Sequence, residues 1–264
     1  MPGDNELGPL AALAEAPERT GIFCDFDGCL SRIVASPPDA RAVRGAPRVL
    51  AKLARRFAVV AVVSGRPASF LAHRLHTRRV HLVGLYGIEE RVGRHLKVLS
   101  EARAARESID RAAARLTERF ASSDGIFVEH KGFAVAVHFR RAAVPEHALA
   151  DAEPLVREIA TSEGLAEVQR GRRVLEIKPD VDVDKGEVVR SLIERYGLTR
   201  GLVAGDDRGD LPSFAAVDGL EAAIRVAVAS DEVPEELVAR ADRVVSGPEH
   251  FVRLLRKLAR ATAR

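Results

Sequence analysis

Asp25 and Asp27 stand two residues apart, directly after the apolar run Gly21-Ile22-Phe23-Cys24 and directly before Gly28. If that run is a strand of a parallel sheet, both carboxylates lie at its carboxyl edge, where open α/β sheets bind ligands. At this spacing one carboxylate can attack phosphorus while the other protonates the leaving oxygen and later deprotonates water. The competing reading is a plain turn, because Asp and Gly are favoured in turns for local reasons. A calcium loop fits less well, since the acidic positions and terminal Glu of an EF-hand do not follow Gly28.

Three further clusters bear on that choice. Ser64-Gly65-Arg66 follows the apolar run Phe57 to Val63 and offers a hydroxyl, a free amide and a guanidinium, all suitable phosphate donors. Asp184, with Glu187 three residues on, reads as a helix N-cap that puts Lys185 at the positive end of the helix. Asp206, Asp207 and Asp210 pack three carboxylates into five residues after Gly205, a cluster that favours a hard cation held by oxygen. Magnesium is the expected cofactor. Taken singly, a Ser-Gly-Arg turn and a first-turn lysine are ordinary features. Four strand or helix ends carrying acid, hydroxyl, lysine and acid in this order are not explained by turn chemistry.

Short apolar runs must position these groups. Gly21 to Cys24, Phe57 to Val63, His81 to Gly87, Gly201 to Gly205 and Ile224 to Ala229 each end in a polar cluster, as buried parallel strands do. Helical patterns lie between several of them, with Val49, Leu50, Leu53 and Ala54 before the second run and Leu192, Ile193 and Tyr196 before the fourth. The alternation predicts an α/β fold with a doubly wound, Rossmann-like parallel sheet. A last helix from Pro248 is expected to bury Phe251, Leu254, Leu255 and Leu258.

The middle of the chain departs from this rhythm. A long amphipathic helix over 101–120 precedes two close strands, 126–130 and 133–139. A second helix, Pro145 to Ser162, precedes strands at 166–169 and 172–178, separated by a turn at Gly171. This doubled α-β-β order predicts a smaller α+β cap domain at 101–180, inserted between core segments 1–100 and 181–264, of the kind that can act as a lid. Glu129 and Lys131 lie two apart on a strand and so share a face, which Glu176 can join from the other hairpin. Such a face can hydrogen-bond sugar hydroxyls or simply be solvated.

Composition narrows the function classes. The 264 residues are 47% apolar and 30% charged, enough for one large domain or two modest ones. Lys and Arg number 41 against 38 Asp and Glu, with the signs interspersed, which is not the clustered basic charge of a nucleic-acid binder. Cys24 and Cys29 lack the partners of a zinc site, and His73 and His76 lack the Glu and spacing of a zinc protease motif. The basic run Arg170 to Arg173 reads as a solvated hairpin tip. An acidic N-terminus and the lack of a long apolar run argue against a signal peptide or membrane partner. The expectation is a cytoplasmic protein with reduced thiols, its oligomeric state open with a monomer first, whose mild positive balance suits a small anionic substrate.

The set Asp25-Phe26-Asp27-Gly28, Ser64-Gly65-Arg66, Lys185-Gly186 and Gly205-Asp206-Asp207 resembles the four motifs of the haloacid-dehalogenase-like phosphohydrolases. Within that superfamily the chain is most similar to the trehalose-6-phosphate phosphatases, from Gly21 onward. The likeness includes Val128 to Phe133, His138 to Arg140 and Val174 to Pro179 of the middle segment. The resemblance implies hydrolysis of trehalose 6-phosphate through an aspartyl-phosphate on Asp25, with Asp27 as general acid and base. It also implies a magnesium site formed by Asp25, the Asp27 carbonyl and Asp206, supported from behind by Asp207 and Asp210. Ser64, Gly65, Arg66 and Lys185 would bind the phosphate, and Glu129, Lys131 and Glu176 the sugar.

Four positions depart from the pattern. Cys29 stands where threonine is usual, Tyr86 where a His-Gly pair is expected, and Gly209 and Leu211 where Thr and Glu follow the acidic pair. The first removes a hydroxyl near the nucleophile and the last a supporting carboxylate. Alternatives are a phosphatase of sucrose phosphate or a glycosylglycerate phosphate, a sugar phosphomutase, and a non-catalytic phospho-acceptor.

Overall fold

The computed structural model describes residues 8, 10–165, 168–171, 173–230 and 233–262. In chain order its elements are α1 (Leu10–Glu15), β1 (Thr20–Cys24), α2 (Ala46–Leu53), β2 (Val59–Val63), α3 (Ala68–Leu75), β3 (His81–Gly84), β4 (Glu89–Val92) and β5 (His95–Val98). Then come α4 (Ser100–Ala104), α5 (Arg106–Arg119), β6 (Phe127–His130), β7 (Val135–His138), α6 (Pro145–Ser162), β8 (Gln169–Gly171) and β9 (Val174–Ile177). The chain closes with α7 (Lys185–Tyr196), β10 (Arg200–Gly205), α8 (Leu211–Ala216), β11 (Ala222–Ala229), α9 (Glu235–Ala239), β12 (Arg243–Ser246) and α10 (Gly247–Ala261). Two compact units result, residues 1–97 with 183–264, and residues 98–182.

In the first unit an eight-stranded sheet runs β12-β11-β10-β1-β2-β3-β4-β5. The strands from β12 through β3 are parallel, and β4 turns back antiparallel to β3. Because β1, β2 and β3 are buried along their whole length, their sequences read as continuous apolar runs. Alternate residues serve opposite layers. Ile22 and Cys24 pack with Leu13 of α1, Leu50 of α2 and Leu255 of α10, whereas Phe23 packs with Val189 and Leu192 of α7 and Phe214 of α8. Phe251, Leu254, Leu255 and Leu258 form the buried stripe of α10, each contributing about 1.5–3 kcal/mol. The strand order reverses direction at β1, so ligand-binding groups gather at its carboxyl end.

Three strands have no counterpart in the apolar reading. β4 and β5 are mostly charged and partly exposed, and β12 is exposed at the other edge, so none needs an apolar run. At this edge Glu90 of β4 accepts from His81 Nδ1 of β3 at 2.8 Å and from Arg195 of α7 at 2.7 Å. Tyr196 pairs with His81 Nε2 at 2.9 Å. The His81 hydrogen bond, then Arg195, outweigh burial and hold the Glu90 carboxyl at about 2. A depressed carboxyl contributes stability above its ordinary value of 4.5 and loses it as pH falls through about 2. After screening by the partly open Arg195, Glu90→Gln is expected to lower unfolding free energy at pH 7 by on the order of 1–2 kcal/mol. Denaturant titrations should show the gap to wild type closing as pH falls below 4.5. A gap that persists undiminished at low pH would refute this account.

The second unit is built on a four-stranded sheet, β6-β7-β9-β8, antiparallel throughout. Val135, Val137, Leu175 and Ile177 point to one face, which α5 and α6 cover with Ile109, Leu116, Leu149 and Val156. The helix expected over 101–120 is two helices that break at Ala105, where ψ is 0°. Gly171 lies within β8, paired with Val174, rather than at the turn; the turn runs through Arg173 at φ 57°. Ala166, Glu167 and Arg172 lie outside the described residues. Among the described residues, no helix is long and apolar enough to cross a membrane.

Candidate active site

Asp25 leaves β1 with its backbone N–H donating to Ala204 of β10 and its side chain buried at 6% exposure. One carboxylate oxygen accepts from the Phe26 amide at 2.6 Å and the other from Lys185 Nζ at 2.8 Å. Lys185 opens α7, whose N-cap Asp184 accepts from the Glu187 amide at 2.8 Å. This cap sets the start of the helix, and a residue 160 positions away thereby reaches the end of β1. The same ammonium donates to Asp210 at 2.8 Å. The second oxygen of Asp210 accepts from the amides of Asp206 and Asp207, while Asp207 and Asp210 cap the turn Arg208–Asp210 reciprocally. Asp210 is therefore a strut between Lys185 and the loop that carries Asp206.

Ligand oxygens of Asp25, Asp206 and Asp210 lie within 4.8 Å of one another, all three residues buried. With Lys185 as their buried cation, two negative charges are left uncompensated when all are ionised. The pKa shifts follow from this imbalance. Burial, then the facing carboxylates Asp25, Asp210 and Asp207, push Asp206 well above the ordinary carboxylate value. Burial pushes Asp210 to about 7 although Lys185 opposes it, and burial likewise raises Asp25. Burial disfavours the Lys185 charge, but Asp210, Asp25 and Asp207 outweigh it and hold the ammonium protonated. Among the described residues no donor reaches the Asp206 carboxylate. Such a set of hard oxygen donors fits a divalent cation. Gly28 admits this carboxylate: it sits at φ 70°, and a Cβ there would stand 2.0 Å from Asp206 Cγ.

The remaining predicted core residues fall at neighbouring strand ends. Ser64, 2% exposed, follows β2, and Tyr86 donates its amide to the Ser64 carbonyl. Arg66 does not point at an open phosphate position. Its Nε and Nη2 clamp Asp27 at 2.6 and 3.0 Å, its Nη1 donates to the Pro37 carbonyl, and its guanidinium lies over the Phe70 ring at 4.8 Å. This bidentate pair was not legible in the sequence, because Asp27 and Arg66 belong to different motifs. Tyr86 is also more than a departure from pattern. At φ 61° it occupies the left-handed region, and its hydroxyl fills the space a Cβ on Gly65 would need. Glu89 accepts from the Ala68 amide at 2.7 Å and so caps α3. Cys24 and Cys29 are buried, and burial pushes both thiols up, so Cys29 is an inert packing residue.

In the second unit, Glu129, Ala136 and Glu176 are successive cross-strand partners and share the face opposite α5 and α6. Lys131 Nζ donates to Glu176 at 2.8 Å. His138 pairs with Glu129 at 2.9 Å and stacks on Phe127. The three predicted sugar-binding residues thus occur in two hydrogen-bonded pairs, with His138 as the member that spacing did not single out.

The trehalose-phosphatase family model matches residues 23–243. The trehalose-phosphate phosphatase of Mycobacterium avium (strain 104) is 36% identical over 211 residues, 77% of this chain and 53% of that protein. That of Mycobacterium bovis is 33% identical over 258 residues, 92% of this chain and 63% of that one. The chain thus spans between about half and two thirds of the length of these curated relatives. The C. albicans trehalose-6-phosphate phosphatase C-terminal domain has the same fold, with a TM-score of 0.75 at 21% identity over 96% of this chain and 97% of that one. With its acidic and basic residues gathered at one strand edge and the family model covering most of its length, the chain belongs to the trehalose-phosphatase family.

Proposed function

We propose that this chain hydrolyses trehalose 6-phosphate to trehalose and phosphate, with magnesium as cofactor and Asp25 as the residue transiently phosphorylated. The observation that carries the reading is the buried Asp25-Lys185-Asp210 chain beside Asp206, with two negative charges in excess at the carboxyl edge of β1. Asp25 and Asp206, with the Asp27 carbonyl, would hold the cation, while Asp207 and Asp210 fix the loop behind it. When bound, a divalent cation there supplies charge neutralisation at the transferring phosphoryl group.

Phosphoryl transfer needs positioning and charge neutralisation more than elaborate covalent chemistry. Asp25 attacks phosphorus and the bond to the sugar oxygen breaks, with the proton on that oxygen coming from Asp27. Asp27 then takes a proton from the water that attacks the phosphoaspartate, which frees phosphate and restores the Asp25 carboxylate. Asp27 can do neither while both its oxygens are held by Arg66. Opening of that pair releases the acid-base group and frees Arg66 to join Ser64, Gly65 and Lys185 on the phosphoryl oxygens. Glu129, Lys131 and Glu176 of the second unit supply the directional hydrogen bonds that select a sugar. Two buried free thiols suit a reducing, cytoplasmic setting.

Phosphate release across trehalose 6-phosphate, sucrose phosphate and a glycosylglycerate phosphate, with magnesium and with chelator, tests this. Metal-dependent preference for trehalose 6-phosphate is expected; preference for another member, or an isomeric sugar phosphate as product, overturns it. The metal assignment has a readout apart from activity. A carboxyl whose folded pKa is raised costs stability at neutral pH, so Asp206→Asn should melt above wild type in chelator, at about 2–4 °C per kcal/mol relieved. Magnesium should raise the melting temperature of wild type and leave Asp206→Asn unmoved.

A further inference from the structure

The segment after Gly28 bridges back on itself, Ser31 pairing with both Asp27 and Ala42, while Val43 donates its amide to the Leu30 carbonyl at 2.8 Å. Between this segment and α10 lies a cavity of about 700 Å³, the size of an ordinary small-molecule site. Its lining is strongly cationic, with Arg32, Arg41, Arg44, Arg253 and Arg256 against Asp39 and Glu249 alone. Those cations are unequally engaged. Arg32 is paired with Glu249 at 2.7 Å, Arg256 donates to the Arg44 carbonyl at 2.8 Å, and Arg41 reaches only the Pro38 carbonyl at 3.5 Å. Among the described residues, the guanidiniums of Arg44 and Arg253 donate no hydrogen bond.

We propose that this cavity is a binding site for a small anion carrying two or more phosphoryl groups. A guanidinium fork matches phosphoryl oxygens bidentately, and three excess positive charges call for a multiply charged ligand rather than a single carboxylate. The site is separate from the carboxylate cluster, whose uncompensated charge in the absence of metal repels such a ligand. A ligand held by Arg41 and Arg44 restrains the segment that begins at Asp27, so the site reports on the order of that segment. The inference does not depend on the substrate proposed above.

Titration calorimetry of the chelator-treated protein with tripolyphosphate, at constant ionic strength, tests it. The expected result is one site on wild type, and a Kd raised by roughly tenfold or more in Arg44→Ala/Arg253→Ala. A charge-matched control, Arg240→Ala/Arg243→Ala at two exposed positions outside that lining, should bind as wild type does. Equal weakening in both double variants, or no binding to wild type, overturns the proposal, because the attraction is then diffuse or absent. Tripolyphosphate should also slow amide hydrogen exchange over residues 29–44 in wild type, and an unprotected segment in a protein that binds would place the anion elsewhere and sink the assignment.

Discussion

Asp25→Asn should abolish phosphate release, by roughly 10³- to 10⁶-fold, while the protein stays folded. Asn keeps the shape of the side chain and an oxygen for the Phe26 amide, but it cannot attack phosphorus. Folding should survive because Lys185 retains Asp210 at 2.8 Å and because one carboxylate is removed from a cluster with two negative charges in excess. The measurement is single-turnover phosphate release from trehalose 6-phosphate, alongside a thermal melt. Turnover within tenfold of wild type, with intact structure, would leave no nucleophilic role for Asp25.

Lys185→Met has the opposite balance: its largest effect is on the fold. The ammonium is the one buried cation between Asp25 and Asp210 among the described residues, and 3% exposure keeps water from replacing it. Its folded pKa is raised, so its contribution is in place at neutral pH and is lost only as pH rises past the ordinary lysine range. Removing one partner of a buried pair costs about 3–5 kcal/mol, which for a chain of this size lowers the melting temperature by roughly 10–15 °C in chelator. The pH dependence identifies the cause. Asp210 sits near 7 even beside the lysine, and without it the carboxylates are raised further. Groups with raised folded pKa values recover stability as pH falls, so the variant should melt higher at pH 5.5 than at pH 8, and added magnesium should restore part of the loss. A variant as stable as wild type at pH 8 in chelator would show that the lysine does not neutralise this cluster.

The two variants probe one arrangement by different routes, and they show how far local pattern reaches. Asp25, Ser64 and Asp206 were recognisable as strand-end groups because β1, β2 and β10 are buried on both faces and so appear as continuous apolar runs. The Asp184 cap was recognisable because its hydrogen bond spans only three residues. β4, β5 and β12 lay outside that signal, since partly exposed edge strands carry charge as readily as apolar residues. The break at Ala105 was equally silent, as alanine is a good helix former and nothing in its neighbours marks an end.

Residue types and spacing along single elements settled which side chains stand at strand ends and helix starts, because alternation, apolar runs and caps are local properties of the chain. The partners those side chains take were decided only when the sheet assembled. Lys185 reaches Asp25 across 160 positions, and Arg66 is drawn to Asp27 rather than left facing an open phosphate position. Such pairings minimise the free energy of burying charge, and a buried charge takes whichever counter-charge the fold brings within reach, a distance that no interval in sequence encodes.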